Sequence, residues 1–161
     1  MLNRLGVALE ELIEIQKQLI DYAEQKRVVL IERRVDELNV LVKDEAKLVK
    51  QLNVIEAERE HVAIQLMEQY GADSFSGLVD GLPDELMKRK LQTQVKTLQG
   101  LLVELQAKNQ INERLLLDSM HFVQHMIDQV TKTKQQHFNY QSPIGNQKPQ
   151  TSSQGFFDTK A

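Results

Sequence analysis

Two histidines, His121 and His125, stand four residues apart, a spacing at which two side chains on one face of a helix can bind the same metal ion. Phe, Val and Gln separate them, so the glutamate that a metalloprotease helix places between its histidines is missing. Asp118 and Asp128 are the nearest candidates for a third ligand. Two histidines on a solvated polar face explain the spacing equally well. We favour that interpretation and predict no metal site.

Glu45 and Arg59 are charged residues at positions where the surrounding pattern expects apolar ones. A carboxylate and a guanidinium of this kind could act in catalysis, but no second carboxylate and no pocket-forming loop accompanies them. Polar residues within an apolar helix seam more often set register and partner choice. The sequence also has no glycine-rich phosphate loop, GxSxG or HExxH motif. We therefore predict a protein without catalytic residues or cofactors.

The elements that hold these residues are helical in pattern. Apolar residues recur alternately every three and four positions, as in a heptad seam. One seam runs through Leu2, Leu5, Leu9, Leu12, Gln16, Leu19, Ala23, Lys26 and Leu30, and a second runs through Leu38, Leu41, Glu45, Leu48, Leu52, Ile55, Arg59, Val62 and Leu66. The second seam is one residue out of phase with the first. This shift predicts a turn between two helices, with Asp36 as a candidate N-cap, although one continuous helix with a local stutter would also produce it.

The next boundary is a stretch rich in glycine and serine, residues 71–82, which predicts a loop. Pro83, followed by Asp84 and Glu85, has the composition of a helix start. The helical pattern then continues to about residue 138. Its predicted seam passes through Leu98, Leu102, Leu105, Asn109, Asn112, Leu116, Ser119, Val123, Met126 and Val130. Asn109 and Asn112 make this seam locally polar, and buried amides of that kind require hydrogen-bond partners.

Together these patterns predict an all-α fold in which three long antiparallel helices form an elongated, coiled-coil-like bundle. The helices are expected at about residues 2–33, 35–70 and 83–138, within a bundle of residues 1–138. Residues 139–161 are dominated by Ser, Gln, Asn, Pro and Gly, which predicts a flexible C-terminal tail. An aromatic content of 5%, with no tryptophan and only 3 prolines, agrees with a helical rather than a strand-rich protein.

Charge and hydropathy exclude several classes of function. A net charge of −3 offers no basic face for nucleic acid. No segment approaches the ~20 uncharged residues that cross a bilayer, so we expect no membrane insertion. The N-terminal stretch has acids among its apolar residues and lacks a secretory core region. The absence of cysteine excludes disulfides and agrees with a reducing compartment. We expect a cytoplasmic protein.

The last long apolar stretch, from Leu115 to Val130, is wider than one helix seam requires. Its apolar side chains cover roughly 160° of a helical projection, whereas burying one face takes a stripe of about 100°. This apolar arc consists of Leu115, Leu116, Met120, Phe122, Val123, Met126, Ile127 and Val130. We predict that Leu116, Val123, Met126 and Val130 continue the bundle core, and that Leu115, Met120, Phe122 and Ile127 flank it and bind a partner helix.

Three sequence features, in this order, resemble the FlgN family of flagellar export chaperones. The first is VDELNVLVKDEAKLVKQLNVIEAERE (residues 35–60), with Glu45 in its middle. The second is LQAKNQINERLLLDSMHFV (residues 105–123), which contains an Asn-x-x-Leu-Leu segment. The third is an aromatic residue followed by a glycine beyond the last helix, Tyr140-Gln-Ser-Pro-Ile-Gly145. The resemblance covers about residues 1–145.

The resemblance implies a cytosolic, all-helical chaperone for hook-associated proteins. Such chaperones hold the C-terminal amphipathic region of the client, prevent its premature self-association and deliver it to the flagellar export gate. The family binds its client through the last helix, which corresponds here to the apolar arc, and the tail tyrosine associated with the gate corresponds to Tyr140. A coiled-coil adaptor or structural oligomerisation protein is the alternative function. Because an exposed arc is an aggregation liability, we expect either that Ile144, Phe156 or Phe157 folds back on it or that the protein self-associates.

Overall fold

The computed structural model describes residues 1–139, with side chains to residue 134, and the regular structure in that range is entirely helical. It comprises α1 (Leu2–Ile31), α2 (Val35–Tyr70), the short α3 (Phe75–Asp80) and α4 (Glu85–Asn139). The chain divides into two units, Met1–His121 and Phe122–Ala161. The predicted all-α fold is confirmed. Among the described residues, no helix combines the length and hydropathy that a membrane crossing requires.

Two ion pairs show that α1 and α2 run antiparallel. Near the start of α1, Arg4 Nη2 lies 3.1 Å from Glu58 Oε1 in the second half of α2. Near the end of α1, Lys26 Nζ lies 2.6 Å from Glu45 Oε2 in the first half of α2. The two helices therefore form a hairpin, in which the seams predicted for α1 and α2 face each other.

Two amide hydrogen bonds show that α4 runs parallel to α1. Gln94 Nε2 donates to the Gly6 carbonyl oxygen at 3.0 Å, across a sequence separation of 88 residues. Asn112 Nδ2 donates to the Ala23 carbonyl oxygen at 2.8 Å, across 89 residues. The nearly constant offset means that the two helices keep one register over this length. It also places the end of α1 level with residues 119–120 of α4.

The turn between α1 and α2 spans residues 32–34, so the two seams belong to two separate helices. Arg33 has φ 56°, and this left-handed residue reverses the chain without a glycine. The residue that precedes α2 is Arg34, which makes no side-chain cap hydrogen bond. The prediction of Asp36 as N-cap is therefore wrong. Because the reversal is completed at Arg33, Asp36 already lies in the first helical turn.

The segment predicted as a loop, residues 71–82, contains helix α3. Ser74 begins it, since its side-chain oxygen accepts a hydrogen bond from the backbone N–H of Gly77 at 3.0 Å. The segment was predicted as a loop because of its glycine and serine content, although its apolar residues recur with the period of a helix. The side chains that this spacing buries are Leu78, Val79 and Leu82.

Helix α4 begins two residues later than predicted. Asp84 Oδ1 accepts hydrogen bonds from the backbone N–H groups of Leu86 at 2.9 Å and Met87 at 3.3 Å. Asp84 is thus the N-cap, and Pro83 lies just outside the helix instead of in its first turn.

The core of the first unit is concentrated at the end where α3 packs. One cluster of buried side chains draws on all four helices: Leu5, Leu9, Val62, Ala63, Leu66, Leu78, Val79, Leu82 and Leu91. A second cluster consists of Ile15, Leu19 and Leu48, with Leu105 of α4 packed against it. None of the seam positions predicted for α1 and α2 is exposed. By contrast, no residue between 31 and 47 is buried, so the hairpin end is thinly packed.

Candidate functional site

In the first unit, the buried positions of α4 differ from the predicted seam. At every second seam position, the residue that is covered is the one immediately before the predicted residue. The exposed residues among those predicted are Leu102, Asn109 and Leu116, whereas the half-buried residues one position earlier are Leu101, Lys108 and Leu115. The covered positions run through Leu91, Gln94, Leu98, Leu101, Leu105, Lys108, Asn112, Leu115 and Ser119. This line also alternates by three and four residues. In the first unit, α4 therefore has two adjacent lines of apolar residues, of which one packs on the bundle and the other is exposed.

This shift reverses two assignments within the apolar arc. Leu115, expected to flank the core, is half-buried and belongs to the covered line. Leu116, expected in the core, is 44% exposed. Met120 is 59% exposed, as a flanking residue should be. Leu117, which the sequence did not single out, is also largely exposed. Between Leu115 and His121, the exposed apolar side chains of the first unit are therefore Leu116, Leu117 and Met120.

The second unit exposes every side chain that is described in it, from Phe122 to Lys134. Five of these side chains are large and apolar: Phe122 is 42% exposed, Val123 55%, Met126 50%, Ile127 46% and Val130 54%. The expectation that Val123, Met126 and Val130 continue the bundle core is therefore wrong. Heptad spacing in the sequence persists here, but no described residue of this unit is buried.

Polar side chains of the second unit form hydrogen bonds within α4 itself. Gln124 Nε2 donates to Asp128 Oδ1 at 3.1 Å, one turn further on. Thr131 Oγ1 donates to the Ile127 carbonyl oxygen at 2.9 Å. The Gln124–Asp128 pair contributes only a few tenths of a kcal/mol to the helix. The Thr131 hydrogen bond satisfies the hydroxyl group but does not stabilise the helix. An amphipathic helix with one apolar and one polar side is the arrangement that packs on a partner helix or groove.

A second apolar feature, which the sequence did not reveal, is an open groove in the first unit with a volume of about 390 Å³. Side chains from four helices line it. We refer to it as the groove and define it by Leu9, Leu12 and Gln16 of α1, Leu52, Asn53, Glu56 and Arg59 of α2, Phe75 of α3, and Val95, Leu98, Gln99 and Leu102 of α4. Helical period alone cannot reveal such a site, because the site depends on the spacing between helices.

Five of the described lining residues are polar, and two of them, Gln16 and Arg59, have distinctive surroundings. Gln16 is only 4% exposed, and its Oε1 accepts no hydrogen bond from the described part of the protein. Arg59 forms two hydrogen bonds with Glu56, through Nε at 2.9 Å and Nη2 at 2.5 Å. Its guanidinium carbon also lies 5.8 Å from the ring centroid of Phe75. The hydrogen bond with Glu56 raises the pKa of Arg59, so its charge is retained at any physiological pH.

Ion pairs connect α1 with α2 and with α4, whereas the seam residue Arg59 pairs within its own helix. Glu45 pairs with Lys26 of α1 and Arg59 with Glu56 of its own helix, so the two seam residues have separate partners. On the other side of α1, Lys108 of α4 pairs with Glu24. A hydrogen bond from Lys108 lowers the pKa of the Glu24 carboxyl. This exposed pair favours one alignment of α1 and α4, although surface pairs stabilise a fold only weakly.

The remaining candidate residues are not brought into a reactive cluster in the part of the chain that the structure describes. His121 and His125 are both exposed. No group of three or more potential metal ligands occurs among the described residues. Asn112 is 7% exposed and bonded to α1, whereas Asn109 is exposed. Tyr140, Ile144, Phe156 and Phe157 lie outside the described residues.

Comparison with known proteins identifies a family. The family model described as "FlgN protein" matches residues 1–148, which is most of the chain. One curated relative is "Uncharacterized protein YvyG" of Bacillus subtilis (strain 168), 23% identical over 153 residues that cover 95% of this chain and 94% of that protein. No solved structure gives a significant match.

Proposed function

The chain belongs to the FlgN family of flagellar export chaperones, and from this premise we propose that it binds the C-terminal amphipathic region of flagellar hook-associated proteins. In this proposal the bound client cannot self-associate prematurely in the cytoplasm. The complex then delivers the client to the flagellar export gate. Binding and release are the whole activity, and no chemical step is required.

The observation that supports client binding most is the exposure of the apolar side chains of the second unit. The five are each 42–55% exposed. Together they offer on the order of 400 Å² of apolar surface, and burying it at about 25 cal/mol per Å² would yield on the order of 10 kcal/mol. Association costs a large part of that gain. The remainder is consistent with reversible binding, which a transport chaperone needs.

The client would be recognised as a helix laid along α4. Apolar anchors at intervals of three and four residues on the client would meet Phe122, Met126 and Val130 in the second unit. In the first unit, Leu116 and Met120 offer the same kind of surface. Two of these side chains are methionines, whose flexible thioethers adapt to clients with different side chains.

Delivery to the export gate is the second part of the proposal, and Tyr140 is the residue assigned to it. The assignment depends on the family resemblance of the Tyr140 to Gly145 segment. Client binding and gate contact would then use different residues, so a loaded chaperone could still reach the gate. Phe122→Asp and Tyr140→Ala should therefore produce separable defects, the first in client binding and the second in delivery.

Affinity capture from flagellated-cell cytosol tests the proposal. The wild-type chain as bait should retain hook-associated proteins, identified by mass spectrometry. Bait with both Phe122→Asp and Met126→Asp should lose them. If the wild type retains only further copies of itself, the protein is a coiled-coil oligomerisation module and the chaperone proposal fails.

A further inference from the structure

The groove of the first unit is a second apolar surface, separate from the described residues of the second unit. Its floor is Leu9, Leu12 and Gln16 of α1, and its α4 wall includes Leu98 and Leu102. A monomeric protein becomes more stable when its own apolar side chains fill such a cleft. Here Leu102 remains 45% exposed at the groove wall, so the cleft is open to a partner.

The charges of the groove neutralise each other. Among the described residues that line the groove, Glu56 and Arg59 are the only ionisable ones, and two hydrogen bonds pair them with each other. The other polar lining residues are the amides Gln16, Asn53 and Gln99. The complementary ligand is therefore an uncharged, apolar surface. A charged segment would bury its charge without a counter-charge, at a cost of several kcal/mol per ion.

Gln16 specifies one polar group on that ligand. Its side chain is 4% exposed, and its Oε1 has no donor within the described part of the protein. A buried amide oxygen without a donor is unfavourable, and Gln16 Oε1 has less than 1 Å² of accessible surface. A ligand that supplies an N–H or O–H removes this cost when the terminal amide of Gln16 turns toward the groove. The groove therefore favours an apolar segment that contains an uncharged hydrogen-bond donor, such as Asn, Gln, Ser or Thr.

The groove lies on the same face of α4 as exposed apolar residues closer to the client surface. Met120 follows Leu102 by 18 residues, which is about five helical turns, so the two side chains share one face of α4. Both are exposed, at 59% and 45%. A helix of about 27 Å, or 18 residues, would reach from one to the other.

From these observations we propose that the groove binds part of the client's amphipathic segment, through its apolar face and an uncharged hydrogen-bond donor that meets Gln16 Oε1. This inference rests on the proposed function. It adds a second contact region to the apolar arc and defines the side-chain chemistry of the client there. Along the groove the lining residues of α4 span Val95 to Leu102, about two helical turns, so one heptad of client would fit.

The test compares two arginine variants that differ by one position on α4. Leu102→Arg places a charge in the groove, whereas Val103→Arg places it at a 68% exposed residue outside the groove. Titration calorimetry with the C-terminal segment of a hook-associated protein should show binding at least tenfold weaker for Leu102→Arg. Binding by Val103→Arg should stay within twofold of wild type. Circular dichroism melts establish that both variants are folded, as expected for substitutions at partly exposed sites.

Gln16→Met tests the hydrogen bond to the client separately from packing, because it should change stability and client affinity in opposite directions. It removes the undonated acceptor at nearly constant volume, so the free protein should melt at a higher temperature. It also removes the acceptor for the client donor, so binding should weaken about fivefold. Higher stability together with weaker binding supports the proposal. Higher stability with unchanged or tighter binding contradicts it.

The outcomes separate this inference from the proposed function. If Leu102→Arg binds as tightly as wild type while Phe122→Asp with Met126→Asp abolishes binding, the client uses the apolar arc alone and the groove proposal is wrong. If the wild type does not bind the hook-associated segment, both proposals fail together. If Leu102→Arg and Val103→Arg weaken binding equally, the effect is one of added charge and the groove is again excluded.

Discussion

Replacing Phe122 and Met126 together by aspartate is expected to weaken binding of a hook-associated C-terminal segment at least 100-fold, about 3 kcal/mol. The two side chains lie one turn apart and are 42% and 50% exposed. Two carboxylates would have to be buried against the client's apolar anchors without partners, which costs more than the lost contact area. Because neither residue is buried, unfolding free energy should change by only about 0.5 kcal/mol per site.

His121→Asp combined with His125→Asp is the matched control. It introduces the same two carboxylates at the same spacing of four residues, but at polar positions of the same helix. Both histidines are exposed. Client affinity should remain within about threefold of wild type, under 1 kcal/mol. Equal losses in the two double variants would mean that negative charge anywhere on this stretch prevents binding, and the apolar arc would lose its special role.

Leu91→Ala is expected to cost about 3 kcal/mol of unfolding free energy, the largest stability effect that we predict for α4. Leu91 is 0% exposed and belongs to the cluster that joins α4 to the other three helices. Truncation leaves a cavity that the neighbouring leucines fill only in part. Denaturant unfolding followed by circular dichroism measures the change.

The control for Leu91→Ala is the same substitution at Leu86, which lies in the first turn of α4 and is 84% exposed. It removes the same atoms from the same helix without opening a cavity. Its effect should be within about 0.5 kcal/mol. Comparable losses at the two positions would show that α4 is not held to the bundle by the cluster around Leu91.

Helical period was sufficient to predict the seams of α1 and α2. Each of these helices has one apolar stripe, and α1 keeps Leu5, Leu9 and Leu12 almost completely buried on it. The charged residues of the two seams also face each other, since Lys26 and Glu45 pair across the hairpin at 2.6 Å. A single stripe leaves only one way to orient a helix against its neighbour, so the local pattern and the tertiary packing agree.

The same reasoning failed on α4 because two apolar lines run side by side there. Period alone fits Leu101 and Leu102 equally well, and likewise Leu115 and Leu116. The choice is made by α1, whose carbonyl oxygen at Ala23 accepts a hydrogen bond from Asn112 and fixes the rotation of the helix. This contact between two helices cannot be inferred from the sequence of α4 alone. The excess apolar width indicated that α4 keeps exposed apolar surface. It indicated neither that the exposed line of the first unit runs through Leu102 and Leu116, nor that both lines are exposed in the second unit.

The groove and α3 were missed for different reasons. The groove depends on how far apart α2 and α4 lie, about which no single-helix pattern gives information. Helix α3, however, had a local signal. Ser74 precedes Phe75, Leu78, Val79 and Leu82, and this is a capping residue followed by apolar residues at helical spacing. The glycines of the segment outweighed that signal in the prediction.

Methyl NMR of the methionines reports directly on client binding by the apolar arc, because the wild-type chain has only 5 methionines. Met120 and Met126 belong to the apolar arc and are exposed, whereas Met67 and Met87 pack against the core cluster of the first unit. On addition of the C-terminal segment of a hook-associated protein, the Met120 and Met126 resonances should shift. Those of Met67 and Met87 should stay in place. Shifts at Met67 and Met87 with none at Met120 and Met126 would contradict client binding by the apolar arc.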